Sequence, residues 1–325
     1  MEKVTIVITT YNLEKYISQA LDSILMQKTD FDYKILVADD CSIDNTVKIL
    51  KEYEELYPTI IKVLTSNKNM GSLANSNRAF ENIQSEYFTF LDGDDLWIDK
   101  NRLQKQVDFM DNHTEYSMCA GNTQYLENEI PKGMLLNEKE LNKSYSFDDY
   151  LNNKMPFFHT SSILVRNTIF KKQLPQCYYD VLGTFEECAL RGEDFRRLIH
   201  LQTGSLYAMN ELFSYYRIHE QGMWQGSTKL KKYIEGAISM NYYSKYFNQY
   251  YTFFHSNFLS LYKYIFKDLA LDYNLLNGLS LPQKERHLLF SLIDEYSDNN
   301  NALVSKKEDK KIIKRLLLKI LCKLD

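Results

Sequence analysis

Several familiar signatures are missing from this sequence of 325 residues. It has no GxGxxG after its first strand-like run and no GxxxxGK[ST] anywhere. The dinucleotide-binding and P-loop versions of an α/β fold therefore lose support. The cysteines form no CxxC pair, so neither a disulfide framework nor a zinc site is expected, and a reducing cytoplasm fits their scatter. They are Cys41, Cys119, Cys177, Cys188 and Cys322.

Long apolar runs and an excess of positive charge are also missing. No stretch of about 18 uncharged apolar residues predicts a transmembrane helix. Met1 leads directly into a strand-like run, so no signal peptide is expected. A formal net charge of −4 gives no reason to expect nucleic-acid binding. With 44% hydrophobic and 25% charged residues, the chain reads as an ordinary soluble protein with one large domain and an appendage.

What is present is a regular alternation of strand and helix patterns over about the first ninety residues. β-Branched runs alternate with stretches whose apolar residues recur at helical spacing. Such alternation favours a mostly parallel sheet covered on both faces. The predicted strands cover residues 4–10, 33–38, 60–65 and 87–91, and the predicted helices cover residues 13–27, 44–56 and 72–83.

Polar residues cluster where three of these predicted strands end. Thr9 to Asn12 follow the first strand, Asp39 and Asp40 the second, and Asp92 to Asp95 the fourth. Ligands of parallel α/β sheets gather beyond the carboxyl ends of the strands. The sequence therefore predicts that these residues line one crevice.

Asp92, Asp94 and Asp95 place three carboxylates within four positions. Carboxylates this close repel one another unless a cation lies between them. Gly93 lets the chain turn so that Asp92 and Asp94 can face one site, and such hard oxygen ligands suit Mg²⁺ or Mn²⁺. The alternative is a solvated turn that caps the next helix.

The pattern continues less regularly beyond residue 96. It predicts a helix over residues 97–112, strands over 116–120, 155–166 and 204–209, and a helix that begins after Gly192. From Lys229 onward, aromatic residues at helical spacing predict a helical region. The tail from Lys306 to Lys323 predicts a basic amphipathic helix, which can lie on an anionic membrane, pack on the preceding helices or form a dimer.

Four motifs in this order resemble the nucleotide-sugar domain of inverting family 2 glycosyltransferases, which have the GT-A fold. They are Thr9-Thr10-Tyr11-Asn12, Asp39-Asp40-Cys41-Ser42, Asn69-Met70-Gly71 and Leu91-Asp92-Gly93-Asp94-Asp95. The resemblance implies a Rossmann-like α/β domain with a mostly parallel sheet. We place it at residues 1–228, followed by a helical C-terminal region at 229–325.

The resemblance also implies where the donor and the metal bind. Asp39 would accept a hydrogen bond from a ring N–H such as uracil offers, and Tyr11 would stack on the base. The metal, Mn²⁺ or Mg²⁺, would be held by residues among Asp92, Asp94, Asp95 and His219. The residues expected at the nucleotide-sugar are Thr9, Tyr11, Asn12, Asp39, Asn69, Gly71, Asp92 and Gly93.

Family members carry a catalytic carboxylate before a helix like the one after Gly192, which makes Asp194 the expected base. The alternative is that Asp194 and Glu193 have a structural role, because acidic side chains in the first turn of a helix interact favourably with the helix dipole. For His159 the alternative is a satisfied histidine at a strand edge. The residues expected at the acceptor or phosphates are Glu193, His159, Thr160, Arg217 and Trp224, with Ser161 as a further hydrogen-bonding group.

The resulting hypothesis is a metal-dependent inverting hexosyl- or N-acetylhexosaminyltransferase. It would move a sugar from a nucleotide-sugar, with UDP favoured, to a glycan or lipid-linked acceptor in surface polysaccharide synthesis, in the cytoplasm or on the inner membrane face. A nucleotidyltransferase would need a Gly-rich loop with a basic residue after the first strand, which Thr10 to Glu14 lack. A non-catalytic carbohydrate-binding or scaffold protein is the other alternative, and loss of the Asp92–Asp94 pair would have favoured it.

Overall fold

The structure is a computed structural model that describes residues 2–219 and 229–271. Strands and helices alternate through its first part. The strands are β1 Val4–Thr10, β2 Tyr33–Asp39, β3 Ile61–Leu64, β4 Tyr87–Phe90, β5 Leu96–Trp97, β6 Tyr116–Glu127, β7 Ile130–Met134, β8 Lys143–Tyr145, β9 Ile163–Arg166 and β10 Ser205–Ile218. The helices are α1 Ile17–Leu25, α2 Thr46–Leu56, α3 Ser72–Phe80, α4 Arg102–Asn112, α5 Phe147–Leu151, α6 Cys177–Asp180, α7 Glu187–Arg191, α8 Glu193–Leu201, α9 Lys229–Tyr246 and α10 Tyr251–Leu271.

The described strands form one mixed sheet in the order β3-β2-β1-β4-β9-β6-β10-β5, with β7 on β6 and β8 on β10. Neighbours β3, β2, β1 and β4 are parallel, and β6 and β10 are parallel to each other. Strand β9 joins these two groups by antiparallel pairing with both β4 and β6. The predicted mostly parallel α/β sheet is confirmed.

The core explains why these runs become central strands. Ile6, Ile8, Ile35 and Val37 are fully buried, as expected for strands that helices cover on both faces. Strands β1 and β2 are in register from Val4↔Tyr33 to Thr10↔Asp39, so both end at the same edge of the sheet. Strand β4 runs parallel to β1 and ends at that edge too.

Some element boundaries differ from those predicted. Trp97 lies in the short strand β5, which pairs with β10, so the helix predicted from residue 97 begins only at Arg102. The strand predicted over 155–166 is limited to β9, because residues 160–162 form a 3₁₀ turn. Strand β10 extends well beyond the predicted residue 209, to Ile218.

The contacts divide the described residues into two compact units. The first holds residues 2–182 and 190–219, and the second holds residues 183–189 and 229–271. In the second unit α9 packs on α10 through buried aromatic side chains such as Tyr243 and Phe254, whose ring centroids lie 5.7 Å apart. The domain boundary at residue 228 stays a prediction, and the basic tail lies outside the described residues.

Among residues 2–219 and 229–271, no helix combines the length and the apolar character needed to span a membrane.

Candidate active site

Hydrogen bonds connect the turn after β1 to the turn after β2. Asp39, fully buried at the end of β2, accepts hydrogen bonds from Thr10 Oγ1 at 3.0 Å and from the Ser42 hydroxyl at 2.5 Å. Asn12, in the left-handed region at φ 54°, accepts the Ile43 N–H at 2.9 Å. The structure thus brings Asn12 and Asp39 into one crevice, where the Tyr11 side chain stays 45% exposed.

The turn at residues 69–71 joins the same crevice through Asp40. The Asp40 carboxylate accepts the backbone N–H groups of Met70 at 2.7 Å and Gly71 at 2.9 Å. Gly71 has φ +88°, which a residue with a side chain rarely adopts. Asp40 is therefore a site residue that the sequence interpretation passed over in favour of Asp39.

The acidic loop, defined here as residues 91–95, turns tightly at the end of β4. The Asp95 N–H donates to the Asp92 carbonyl at 2.9 Å. A Cβ at Gly93 would lie 2.8 Å from Leu13 Cδ1 and 3.2 Å from Thr10 Cγ2. Glycine at this position lets the acidic loop pack directly on the turn after β1.

Asp95 anchors the acidic loop from inside the protein. Its carboxylate is 1% exposed and accepts the Ser161 hydroxyl at 2.8 Å and the Arg217 backbone N–H at 2.9 Å. The Ser161 hydroxyl oxygen also accepts the Asp92 N–H at 3.3 Å. Burial, with added repulsion from Asp94, holds the pKa of Asp95 well above its usual range.

Asp94 and Asp92 face the crevice instead. Asp94 Oδ2 lies 3.0 Å from His219 Nε2, and the two side chains are 26% and 12% exposed. The other ring nitrogen of His219 is buried and has no hydrogen-bond partner among the described residues. Burial raises the pKa of Asp92 to about 7, with Asp94 and Glu193 adding to the rise and Arg196 opposing it.

His159 approaches the acidic loop from the other side. Its Nδ1 lies 3.6 Å from Asp95 Oδ2, and burial lowers the pKa of His159 to about 4, so the ring is neutral near pH 7. Ligand atoms of Asp92, Asp95 and His159 all lie within 4.8 Å of one another. The neighbouring Thr160 is largely buried.

Arg217 is buried and its donors are taken by protein atoms. Nε donates to the Asp94 carbonyl at 2.8 Å, Nη2 donates to Gln19 Oε1 at 2.6 Å, and Nη1 forms an ion pair with Glu129. In this structure Arg217 therefore connects the acidic loop to Gln19 of α1 and to Glu129 in the turn after β6. A contact between Arg217 and a phosphate stays a prediction.

Asp194 lies in the first turn of α8, after Gly192, and its side chain is 49% exposed. It forms an ion pair with Arg197, which is buried. Desolvation by the surrounding protein raises the pKa of Asp194, and the Arg197 guanidinium opposes that rise, while Glu193 adds to it. An i,i+3 ion pair within a helix fits the capping alternative as well as a catalytic role, so Asp194 as the base stays a prediction.

Arg196 is a site residue that the sequence interpretation missed. Its guanidinium carbon lies 3.8 Å from the centroid of the Phe90 ring, and its charge opposes the rise in the pKa of Asp92. In the sequence, nothing distinguishes Arg196 from the other residues of the predicted helix after Gly192. Its closeness to β4 depends on how α8 packs against the sheet, which the local pattern does not encode.

The remaining predicted residues are less informative. Thr9 is half-buried in β1, and Asn69 is exposed, with its Oδ1 accepting the Gly71 N–H at 3.1 Å. Trp224 lies outside the described residues.

The donor set suits a divalent cation. Three carboxylates of the acidic loop and two imidazoles converge, and burial together with mutual repulsion raises the pKa values of Asp92 and Asp95. Carboxylate oxygens are typical ligands of Mg²⁺ and Mn²⁺. Asp92, Asp94 and His219 are the residues still open to the crevice, whereas Asp95 is committed to holding the loop.

Comparison with known proteins shows which family the chain matches. The model of a family described as Glycosyl transferase family 2 matches residues 5–174, more than half of the chain. An uncharacterized protein of Mycobacterium tuberculosis is 27% identical over 232 residues, which are 71% of this chain and 63% of that protein. The chain thus spans less than two thirds of the length of that relative.

For a second relative, a solved structure can be compared as well as the sequence. Poly(ribitol-phosphate) β-N-acetylglucosaminyltransferase TarS of Staphylococcus aureus is 34% identical over 116 residues, which are 35% of this chain and 20% of that protein. A crystal structure of TarS residues 1–349 with UDP matches with a TM-score of 0.53 at 15% identity, covering 98% of this chain and 89% of that one.

The mannosyltransferase PcManGT of Pyrobaculum calidifontis, in complex with GDP-Man and Mn²⁺, matches with a TM-score of 0.50 at 13% identity. The match covers 99% of this chain and 86% of that one. These structures confirm the predicted GT-A fold, and the family match confirms the resemblance seen in the motifs. The chain belongs to glycosyl transferase family 2.

Proposed function

We propose that this protein is a metal-dependent inverting glycosyltransferase that uses a UDP-sugar. The observation that carries the proposal is the placement of three groups: Asp39 ends β2, the acidic loop follows β4 at the same sheet edge, and Asp194 begins α8, whose Arg196 lies 3.8 Å from the Phe90 ring of β4. Glu193, next to Asp194, is near enough to Asp92 to raise its pKa. A donor between them would have its diphosphate at the acidic loop and its sugar towards Asp194.

We propose Asp92, Asp94 and His219 as the residues that hold the cation, and Mn²⁺ or Mg²⁺ as the cation. When bound, it would stabilise the negative charge that develops on the leaving diphosphate. PcManGT, whose structure contains Mn²⁺, supports this proposal by fold. Arg217 would keep the Asp94 backbone in place while the loop carries that charge.

Asp194 would be the base. The acceptor oxygen attacks the anomeric carbon as its proton passes to the Asp194 carboxylate, and the bond from that carbon to the diphosphate oxygen breaks on the opposite side, which inverts the centre. One catalytic carboxylate is enough for this single displacement, whereas a glycoside hydrolase needs two at a set separation. The ion pair with Arg197 favours the ionised form of Asp194 and opposes the rise in its pKa that desolvation causes.

In the nucleotide half of the crevice, the exposed Tyr11 ring would stack on the base, and Asp39 would accept a ring N–H. Both oxygens of Asp39 already accept protein donors, with Thr10 and Ser42 fixing their direction. A carboxylate oxygen has two acceptor sites, so a further hydrogen bond can form. The similar fold of TarS, which was crystallised with UDP, supports UDP as the nucleotide.

We propose a glycan or lipid-linked acceptor of the cell surface. TarS, which is named for transfer to poly(ribitol phosphate), supports a polymeric acceptor, and we infer the chemistry of the acceptor unit from the site of this chain. Attachment to the inner face of the membrane through the basic tail remains part of the hypothesis and rests on the sequence alone.

The base assignment is tested with Asp194→Asn. We expect the variant to bind UDP with Mn²⁺ as tightly as the unaltered protein, because its acidic loop is intact, and to lose the transfer measured as UDP release from UDP-sugars. Asp180→Asn, a carboxylate change at the end of α6, is the matched control and should keep full turnover. Unchanged turnover of Asp194→Asn would remove Asp194 from the mechanism.

A further inference from the structure

An exposed aromatic ring stands beside the proposed base. Phe157, in the segment that leads to the 3₁₀ turn at 160–162, is 46% exposed, while the next residue, Phe158, is fully buried. The Phe157 ring has two neighbours: the Arg197 guanidinium carbon lies 5.8 Å from its centroid, and the His159 ring lies 6.4 Å away at 76°. A large apolar side chain is therefore exposed to solvent beside these two groups.

The same two neighbours relate Phe157 to the chemistry. Arg197 contacts the Phe157 ring and pairs with the Asp194 carboxylate, so ring and carboxylate share one guanidinium. His159 contacts the ring and lies 3.6 Å from Asp95 of the acidic loop. A molecule resting on Phe157 would therefore reach Asp194 with its edge.

The chemistry of such a molecule follows from this pair of groups. An aromatic face next to a carboxylate matches a ligand that has an apolar face and a rim of hydroxyl groups. A pyranose ring has both, because its axial C–H bonds form a face and its hydroxyls point outward. An open-chain alditol has hydroxyls along its whole length and offers no such face to the ring.

We propose that Phe157 is the floor of an acceptor subsite that takes a pyranose ring and presents one of its hydroxyls to Asp194. This inference rests on the proposed glycosyl transfer and makes the acceptor a sugar ring rather than an alditol chain. The hydroxyl loses its proton to Asp194, its oxygen bonds to the anomeric carbon of the donor, and the nucleoside diphosphate leaves with the electrons of the broken bond.

The test measures UDP release from UDP-sugars in the full-length protein with Mn²⁺ and simple acceptor probes. Methyl pyranosides should accelerate UDP release in a saturable way, and glycerol and ribitol should not at equal hydroxyl concentration. Phe157→Ala should raise the half-saturating pyranoside concentration about threefold to tenfold, the range expected for loss of one aromatic contact. Phe157→Trp should restore it, because a larger ring keeps the stacking face.

Tyr57→Ala is the matched control, since Tyr57 is 39% exposed and follows α2, on the side of the sheet where β3 lies. It should leave the pyranoside response unchanged. Equal acceleration by ribitol, an unaltered half-saturating concentration in Phe157→Ala, or no acceleration in a protein that binds UDP would each overturn the inference. A protein that binds no UDP would instead overturn the proposed function, so the two failures are distinct.

Discussion

Neighbouring carboxylates of the acidic loop have different surroundings and therefore different tasks. Asp95 is buried and has its oxygens occupied by Ser161 and the Arg217 backbone, whereas Asp94 stays open beside His219. A buried carboxylate with fixed hydrogen bonds is a structural anchor, because moving it would leave those donors unpaired. In the proposed site, the metal would therefore depend on Asp94 directly and on Asp95 through the shape of the loop.

This division predicts the effect of Ser161→Ala. The change removes the hydroxyl that donates to Asp95 and accepts from the Asp92 N–H, at a fully buried position. Leaving a buried carboxylate short of a donor costs about 1–3 kcal/mol of folding free energy. We expect a lower melting temperature and a weaker Mn²⁺-dependent affinity for UDP, measured by thermal unfolding and calorimetry. An unchanged affinity in a folded variant would show that Ser161 does not shape the loop.

We expect Arg197 to influence the pH range in which Asp194, the proposed base, is ionised. Desolvation raises the pKa of Asp194, the Arg197 guanidinium opposes that rise, and Glu193 adds to it. Tyr150, whose own pKa is raised by burial and by Asp194, faces the same carboxylate from α5. In Arg197→Gln the opposing charge is gone, so the pKa of Asp194 rises and the carboxylate is protonated over a wider acidic range.

We therefore expect the acid limb of the pH profile of kcat/KM to move to higher pH in Arg197→Gln. Arg197→Lys, which keeps the charge, should move it less. Donor affinity should change little in either variant. An acid limb that stays in place would contradict the ion pair's influence on the base.

At the scale of elements, the sequence predicted the parallel half of the sheet well and the rest less well. The runs that became β1, β2, β3 and β4 are short, apolar and separated by helical patterns, so each is recognisable locally. Strand β10 was predicted to end near residue 209, because Asn210 and Glu211 interrupt its apolar pattern. The structure accommodates this interruption as a register shift opposite β6, which only the partner strand determines.

The close approach of β6 and β10 at this register shift predicts that Gly121 does not tolerate a side chain. A Cβ at Gly121 in β6 would collide with the Phe213 ring and lie 2.7 Å from the Glu211 carbonyl oxygen of β10. Because part of this clash is with backbone, Gly121→Ala should destabilise the fold by about 1–3 kcal/mol or more, measured by denaturant unfolding. Gly133→Ala in the exposed strand β7 meets nothing within 4 Å and is the control. Equal stability of the two variants would contradict the described pairing of β6 and β10.

At the scale of the whole molecule, the crevice could be predicted because parallel strands end together. The identities of Asp39, Asp92 and Asp94 followed from their places after strands. Arg196 could not be predicted as a site residue, since it reaches the Phe90 ring only once α8 has packed on the sheet. The Asp194–Arg197 pair has the i,i+3 spacing of helix neighbours, which the sequence does show, but the burial of Arg197 depends on the fold. The sequence thus predicted which carboxylates gather, and the structure added which positive charges oppose the rise in their pKa values.

The proposed site predicts that donor binding depends on a cation. We would titrate the full-length protein with UDP by calorimetry, with and without Mn²⁺, and repeat the titration with GDP and CDP. The account predicts that UDP binds when Mn²⁺ is present and only weakly without it, and that Asp94→Ala loses the Mn²⁺-dependent part. UDP binding of equal strength with and without Mn²⁺, or in Asp94→Ala, would contradict the proposed metal site. Absence of nucleotide binding under every condition would contradict the central claim that the crevice holds a nucleotide-sugar.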